Sequence, residues 1–383
     1  MDFDLTSEQL SIQKAAREFA EGEFDIDLVQ ELEMKREFPW EIWKKSCKLG
    51  FVGMDFPEEY GGQGYGLFEA ILVHEEFCRK AATFGMVVSG VPFGSRIILK
   101  NGTEEQKQKY LIPMTKGEMI SAGAFTEPDR GSDLTSLSTI ARKEGKDYII
   151  NGTKTFTTMA GNANFIIVLC QTDPEAKPGY KGQSSIIVET DRKGIEISKF
   201  ETMGWRTLGT TEVSFTDVRV PEENLIGREN RGFYQSLDFL NEYRALVGAI
   251  ATGIAQGAFD RALKYAKERE AFGRKIGEFQ AIQHKLAEMA TKIETARLLT
   301  YKAAHDLDKG VVDPKLCSMT KWFTARVAAE VADEAIEILG GHGYMTENEV
   351  ERFYRDARAL ELVEGTREIQ KNTIARILLG KLR

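Results

Sequence analysis

The sequence predicts an α+β fold in which an N-terminal α-helical domain, a middle antiparallel β-barrel or sandwich domain and a C-terminal four-helix bundle follow in order. Three observations predict it. Apolar residues recur at a helical period over 1–120. Short β-rich runs bounded by Gly, Pro and Asp then occupy 121–231. Long amphipathic segments with short breaks occupy 232–383, a pattern typical of an antiparallel bundle.

The N-terminal domain begins with a helix start signal. Thr6 and Gln9 have the spacing of a capping box, in which each side chain accepts the other's backbone N–H. A second helix is expected around 40–49, before a loop rich in Gly and Pro. Helices are expected to resume near 67, to break near 89–92 and to run again through 104–110.

Strand signals define the middle domain. Asn151-Gly152 lies between two β-rich runs and predicts a hairpin turn. Four further strands are expected at Phe165–Cys170, Ser184–Thr190, Gly194–Phe200 and Thr211–Val220. Because no long helical segment separates these runs, the pattern favours an antiparallel barrel or sandwich over a parallel Rossmann sheet.

The C-terminal domain is predicted from long amphipathic segments. They span Gly232–Arg269, Phe279–Lys309, Pro314–Leu339 and Asp356–Leu379. Short connections between long helices imply that neighbouring helices are antiparallel. Gly248, Gly253 and Gly257 on the first segment predict that it packs closely against another helix.

Composition excludes several classes of function. The 383 residues carry a net charge of -8, so no broad basic field is available for nucleic acid. The 4 cysteines and 4 histidines are too sparse for a disulfide scaffold or a metal centre. The acidic N-terminus differs from a signal peptide, and the most apolar stretch, 245–259, is too short to insert into a membrane. We therefore expect a cytoplasmic enzyme.

Five motifs each allow two interpretations. The glycine run at 340–344 lacks the spacing of a dinucleotide-binding loop, and a C-cap turn is favoured over a phosphate site. The segment 126–133 could bind a pyrophosphate or form a capped turn. The segment 156–158 could face a planar cofactor or lie in the core. The segment 364–366 could present a general base or a surface Glu. Arg269 could bind a phosphate or helix-terminal carbonyls.

In order and spacing along essentially the whole chain, these motifs resemble the acyl-CoA dehydrogenase family. Further matching segments are Met203–Arg206, Phe279-Gln280 and Arg355-Asp356. The family consists of flavoenzymes that introduce an α,β double bond into acyl-CoA thioesters. The resemblance implies one FAD per subunit, between the β domain and the bundle, and a homotetramer.

The resemblance also implies cofactor contacts. Those that line the flavin are Phe125, Thr126, Ser132, Phe156 and Thr158, where many members have Trp in place of Phe156. Those that hold FAD across a subunit boundary are Arg269, Phe272, Gln280, Gly340 and Gly341. Those that contact its adenosine diphosphate portion are Thr366 and Glu368.

The implied catalytic base is Glu364, which would remove the α-proton of the thioester while hydride leaves the β-carbon for the flavin. Arg244 matches an arginine that supports the substrate site, and Asn241 stands where many members have Asp. Some members carry the base just before this arginine, but Tyr243 stands there and is a poor base at neutral pH. The other implied substrate contacts are Ser132, Val91 and Gly365.

The acyl group is the least determined part of the function. The segment 91–93 is compact and apolar, which favours short, branched or alicyclic acyl groups. Members that act on glutaryl-type substrates place an arginine in the region matching 82–90, which here contains none. Dicarboxylic substrates are therefore disfavoured, although Arg96 just beyond leaves that alternative open.

Electrons are expected to pass to an electron-transfer flavoprotein. The alternatives are an acyl-CoA oxidase that uses oxygen and a non-catalytic binding protein on the same fold. Peroxisomal oxidases are usually much longer than 383 residues. DNA-associated members would need a basic stripe and could dispense with Glu364, whereas this chain is acidic and retains it.

Overall fold

The structure is a computed structural model that describes residues 4–90 and 92–380. Its N-terminal helices are α1 (Ser7–Glu23), α2 (Ile26–Lys35), α3 (Trp40–Lys48), α4 (Leu67–Lys80), α5 (Ala82–Gly90), α6 (Ser95–Asn101) and α7 (Glu104–Thr115). The predicted capping box is present: Gln9 N–H donates to Thr6 Oγ1 at 3.2 Å, and Thr6 N–H donates to Gln9 Oε1 at 3.0 Å. Helix α2, which begins after the capping residue Asp25, was not predicted from the sequence.

The middle domain is one curled sheet. Its strands are β1 (Ser121–Ala124), β2 (Ile140–Glu144), β3 (Asp147–Thr158), β4 (Phe165–Gln171), β5 (Gln183–Glu189), β6 (Ile195–Lys199) and β7 (Thr210–Pro221). The order is β1-β4-β2-β3-β7-β6, with β5 paired to β4. Most pairs are antiparallel as predicted, but β4 pairs with β1 and β2 in parallel. Every residue of β4 is buried, because this strand is covered on both faces.

The predicted hairpin turn at Asn151-Gly152 is wrong. Strand β3 runs straight through these residues, and its pairing with β7 shifts register between Ile150 and Gly152. A Cβ on Gly152 would lie 2.6 Å from Thr139 Cα, so glycine here permits a close backbone approach at a bulge. The turn that does reverse the chain lies between β2 and β3, at Gly145 with a φ of +64°.

The C-terminal domain contains α8 (Gly232–Glu268), the short strands β8 (Glu270–Ala271) and β9 (Arg274–Lys275), and then α9 (Gln280–Asp308), α10 (Pro314–Leu339), α11 (Val350–Leu360) and α12 (Arg367–Leu379). The first three predicted helices are confirmed to within a residue. The fourth, expected over Asp356–Leu379, is wrong as one helix: it is split at 361–366, which contains Glu364.

Small residues on α8 bring the N-terminal domain onto the bundle. A Cβ on Gly253 would lie 2.3 Å from the carbonyl oxygen of Glu75, and one on Gly257 would lie 2.2 Å from that of Arg79. Both carbonyls belong to α4, so the backbones of α4 and α8 touch, as the sequence predicted.

Asp356 of α11 connects the three domains. One carboxylate oxygen accepts the Trp205 backbone N–H of the β domain at 2.8 Å, and the other accepts the Thr83 hydroxyl of α5 at 2.8 Å. The Asp356 side chain is fully buried, and burial together with nearby Glu33 raises its pKa to about 6. This residue therefore fixes the position of the 361–366 connection relative to the sheet. Within the described chain, no helix is both long and apolar enough to cross a membrane.

Candidate active site

Glu364 lies on a turn of unusual backbone geometry between α11 and α12. Its φ is +54° and that of Gly365 is +91°, so two consecutive residues adopt left-handed conformations. A non-glycine residue in this region costs free energy and is found mainly where the surrounding structure enforces it. The turn therefore aims the Glu364 carboxylate in a direction that a continuous helix would not allow.

Two buried side chains enforce this turn. Lys321 of α10 donates from Nζ to the Gly365 carbonyl at 2.7 Å. Gln370 of α12 donates from Nε2 to the carbonyls of Glu364 at 2.9 Å and Gly365 at 3.1 Å. Thr366 then caps α12 by accepting the Ile369 N–H. Neither Lys321 nor Gln370 was among the site residues predicted from the sequence. The signal for Lys321 was a charged residue on the apolar stripe of α10.

The environment of the Glu364 carboxyl brings its pKa close to neutral pH. Burial raises its pKa to about 7, against the opposing charges of Lys321 and Arg244. The same environment lowers the pKa of Lys321 to about 8, mainly by burial and against the effect of Glu364. A carboxylate whose pKa lies near 7 is suited to accept and release a proton at physiological pH.

Arg244 and Asn241 lie one turn apart on α8 and are both buried. Arg244 Nη1 donates to Asn241 Oδ1 at 3.0 Å. Arg244 Nε is buried and has no hydrogen-bond partner among the described residues, so it is available to a polar ligand. Burial lowers the pKa of Arg244, and the carboxylate of Glu364 opposes this.

Aromatic rings surround Tyr243. The Phe93 ring lies 4.8 Å from that of Tyr243, and the Phe239 ring lies 5.4 Å from it. Phe125 completes the cluster, 5.9 Å from Phe93. Burial and the nearby Glu364 charge raise the pKa of Tyr243, so its phenol stays protonated at neutral pH. We call Phe93, Phe125, Phe239 and Tyr243 the aromatic cluster.

Arg96 is already paired with carboxylates. It forms salt bridges with Asp55 and, at 3.5 Å, with Glu242, and it is only 11% exposed. Arg96, Tyr243 and His74 line a small cavity of about 20 Å³. Two acidic partners balance the guanidinium charge, which disfavours recognition of a substrate carboxylate there. The predicted contact Val91 lies outside the described residues.

A buried ion pair joins the segments that carry Phe125, Thr126, Phe156 and Thr158. Lys154 Nζ contacts Glu127 Oε1 at 2.9 Å and the Phe125 carbonyl at 3.0 Å. Thr155 N–H donates to the Thr126 carbonyl at 2.9 Å, so the segments 125–126 and 156–158 lie side by side.

The Phe156 ring is exposed to solvent where these two segments lie side by side. Its side chain is 67% exposed and its φ is +54°. Thr126 and Thr158 are half-buried and Ser132 is exposed. An open ring at a strand end near threonine hydroxyls fits a planar aromatic cofactor such as a flavin.

The residues predicted to hold FAD across a subunit boundary form a separate exposed group. Arg269, Phe272 and Gln280 lie in or beside the α8–α9 connection, and Phe272 is 96% exposed. Gly340 and Gly341 end α10 in an open turn, as the sequence favoured. The rings of Tyr265 and His342 lie 6.0 Å apart and join the end of α8 to this turn. Glu368 is also exposed, in the first turn of α12.

Comparison with known proteins identifies the family. The acyl-CoA dehydrogenase N-terminal, middle and C-terminal domain models match residues 6–118, 122–218 and 230–379. The chain is 41% identical to the short-chain specific acyl-CoA dehydrogenase of Clostridium acetobutylicum, over 98% of this chain and 99% of that one. It is 40% identical to the caffeyl-CoA reductase-Etf complex subunit CarC of Acetobacterium woodii, over 97% and 98%.

Solved structures agree with these relatives. The structure of butyryl-CoA dehydrogenase from Megasphaera elsdenii matches with a TM-score of 0.94 and 36% identity, over 99% of this chain and 100% of that one. The fold predicted from the sequence is thereby confirmed. By domain content, sequence and structure along its length, the chain belongs to the acyl-CoA dehydrogenase family of FAD-dependent enzymes.

Proposed function

We propose that this enzyme removes the α-proton and the β-hydride of a short, branched or alicyclic acyl-CoA thioester, with Glu364 as the base. The observation that carries the proposal is the Glu364 carboxyl, held on a left-handed turn with a pKa of about 7. An α-hydrogen of a thioester is only weakly acidic, so its removal requires a positioned base.

Different residues of the chain have different roles in the proposed reaction. Glu364 accepts the α-proton, and the turn held by Lys321 and Gln370 orients its carboxylate. Arg244 offers a buried donor to the substrate. Phe125, Thr126, Ser132, Phe156 and Thr158 would hold FAD from the β domain, and Thr366 and Glu368 would hold its adenosine diphosphate portion. FAD, when bound, supplies the hydride acceptor.

The proposed acyl preference is supported by the aromatic cluster. Phe93 and Tyr243 pack 4.8 Å apart. Tyr243 lies near the Glu364 carboxylate and lines a cavity of only about 20 Å³. So small a cavity beside closely packed rigid rings leaves little room for a long chain. We include Gly365, Asn241 and Ser132 among the proposed substrate contacts.

A panel of thioesters tests this function. Butyryl-, isobutyryl- and cyclohexanecarbonyl-CoA should be oxidised with an artificial electron acceptor, and palmitoyl- and glutaryl-CoA should be poor substrates. Efficient oxidation of glutaryl-CoA would contradict the conclusion that Arg96, already paired with Asp55 and Glu242, does not bind a substrate carboxylate. Peroxide formation in air at the rate of the artificial-acceptor assay would indicate an oxidase instead.

A second candidate is the reverse reaction, reduction of a 2-enoyl-CoA. It is favoured by the relative named as a caffeyl-CoA reductase-Etf complex subunit. The same relative supports an electron-transfer flavoprotein as the proposed redox partner. Mixing the enzyme with reduced electron-transfer flavoprotein and crotonyl-CoA should produce butyryl-CoA if this direction is used.

The rate of substrate oxidation should depend on pH through Glu364. Its pKa of about 7 means that below pH 7 the carboxyl is protonated and has no site for the α-proton. The rate constant of flavin reduction should therefore rise about tenfold per pH unit below pH 7 and level off above it. A rate constant that is flat from pH 5 to 8, in a stopped-flow series at saturating butyryl-CoA, would contradict this assignment.

We propose a homotetramer in which Arg269, Phe272, Gln280, Gly340 and Gly341 contact the FAD of a neighbouring subunit. Phe272 is 96% exposed in the single chain, so its ring is accessible to a neighbouring subunit. Phe272→Ser should lower FAD retention and the mass measured by light scattering. Met34→Ser, at another exposed apolar side chain, should change neither. Full FAD retention by a monomeric protein would contradict the proposal.

A further inference from the structure

We propose that Lys321 is a positioning residue for the catalytic base: its buried ammonium holds the Gly365 carbonyl and places a positive charge against the Glu364 carboxylate. Lys321 would then affect both the shape of the turn and the charge of the base. This inference rests on the proposed function and assigns a role to α10, which contributes no residue to the predicted site before its C-terminal turn.

The placement of Lys321 is unusual for a lysine. Its side chain is 0% exposed, and its hydrogen bond goes to a backbone carbonyl rather than to a carboxylate. Burying an ammonium group is unfavourable unless other groups compensate its lost hydration. A carbonyl bond alone compensates poorly, so the neighbouring carboxylates must contribute through their charge.

The titratable groups around Lys321 and Glu364 come from α8, α10, α12 and the 361–366 connection. Lys321 on α10 and Arg244 on α8 both favour the ionised form of Glu364 and oppose the effect of burial on its pKa. Tyr243 of α8 also faces Glu364 but stays neutral. Of the carboxylates that stabilise the Lys321 ammonium, Glu364 has the largest effect; the others are Glu361 and Glu368.

The hydrogen bond and the charge of Lys321 can be separated. Gln370 already donates to both carbonyls of the turn, so loss of the Lys321 bond leaves the turn partly held. Loss of the Lys321 charge leaves only the more weakly acting Arg244 to favour the ionised form of Glu364. Lys321→Gln keeps a donor and removes the charge, Lys321→Arg keeps both, and Gln370→Leu removes hydrogen bonds without changing any charge.

The pH profile of flavin reduction by butyryl-CoA is the first measurement. An opposite charge close to a carboxylate shifts its pKa by about 1–3 units. Lys321→Gln should therefore move the midpoint of the profile upward by about 1–3 pH units, and Lys321→Arg should return it most of the way. Gln370→Leu should lower the plateau without moving the midpoint. An unmoved midpoint in Lys321→Gln, or an equal shift in Gln370→Leu, would overturn the proposal.

A second measurement does not depend on turnover. The infrared band of the protonated Glu364 carboxyl, assigned as the band missing in Glu364→Gln, can be titrated in the FAD-loaded protein without substrate. Its midpoint should rise in Lys321→Gln by the same amount as the kinetic midpoint. If the wild type oxidises no thioester, the proposed function fails, and the infrared titration still decides the role of Lys321. If Lys321→Gln does not fold, Lys321→Met replaces it. An unchanged midpoint in Lys321→Met, or a shift in Lys321→Arg that is larger than the shift in Lys321→Met, overturns the proposal.

Discussion

Glu364→Gln should lower the rate of acyl-CoA oxidation by about 10²–10⁴-fold, which is the usual cost of removing a general base. Glutamine keeps the size of the side chain and leaves the bonds from Lys321 and Gln370 to the turn intact, because these bonds use backbone carbonyls. It cannot accept the α-proton. Turnover of butyryl-CoA with an artificial electron acceptor measures the loss.

The control for this variant is its content of FAD and its affinity for substrate. Both should stay close to the wild-type values, because the proposed FAD contacts in the β domain lie on other elements. Loss of FAD from Glu364→Gln would show that the residue supports the fold rather than the chemistry. Gly365→Ala offers a comparison, since Ala at a φ of +91° strains the turn without removing the carboxylate.

Glu127→Ala should destabilise the β domain by about 3–5 kcal/mol, because it leaves the Lys154 ammonium buried without its carboxylate. The two side chains are 1% and 0% exposed. Glu127 also accepts the backbone N–H groups of Ser138, at 2.6 Å, and Thr139, at 2.8 Å. Urea unfolding monitored by circular dichroism measures the change in free energy of unfolding.

The same substitution should weaken FAD binding, because Lys154 also holds the Phe125 carbonyl. The double variant Glu127→Gln with Lys154→Met contains no buried charge and should regain more than half of the lost stability. A loss below about 1 kcal/mol in Glu127→Ala would place the pair among weak surface salt bridges and contradict its structural role.

Local sequence signals correctly predicted the elements whose boundaries are determined by residues within the element. The capping box at Thr6, the proline-initiated helix Pro314–Leu339 and the alternating pattern of β7 all carry their boundaries in the sequence. Asn151-Gly152 has an equally strong local signal, but the partner strand decides its conformation. The approach of Thr139 requires a glycine there, and that contact is not visible in the local sequence.

In the candidate site, too, some features follow from the local sequence and others depend on tertiary contacts. Glu364 followed by Gly365 could be recognised from the sequence, since glycine next to a carboxylate indicates a turn. The backbone conformation of that turn could not, because the left-handed φ of Glu364 is imposed by Lys321 and Gln370. The pKa of Glu364 is raised by burial and held back by the charges of Lys321 and Arg244, which lie far away along the chain. Such tertiary contacts leave no local pattern.

The most direct test of the account is anaerobic flavin reduction in three proteins: the wild type, Glu364→Gln and Tyr243→Phe. Each is mixed with the preferred acyl-CoA, and the loss of flavin absorbance is followed by stopped flow. If Glu364 is the base, the wild type and Tyr243→Phe bleach at similar rates and Glu364→Gln does not bleach on that timescale. If Glu364→Gln bleaches at the wild-type rate while Tyr243→Phe does not, the base is misassigned and the central claim is wrong.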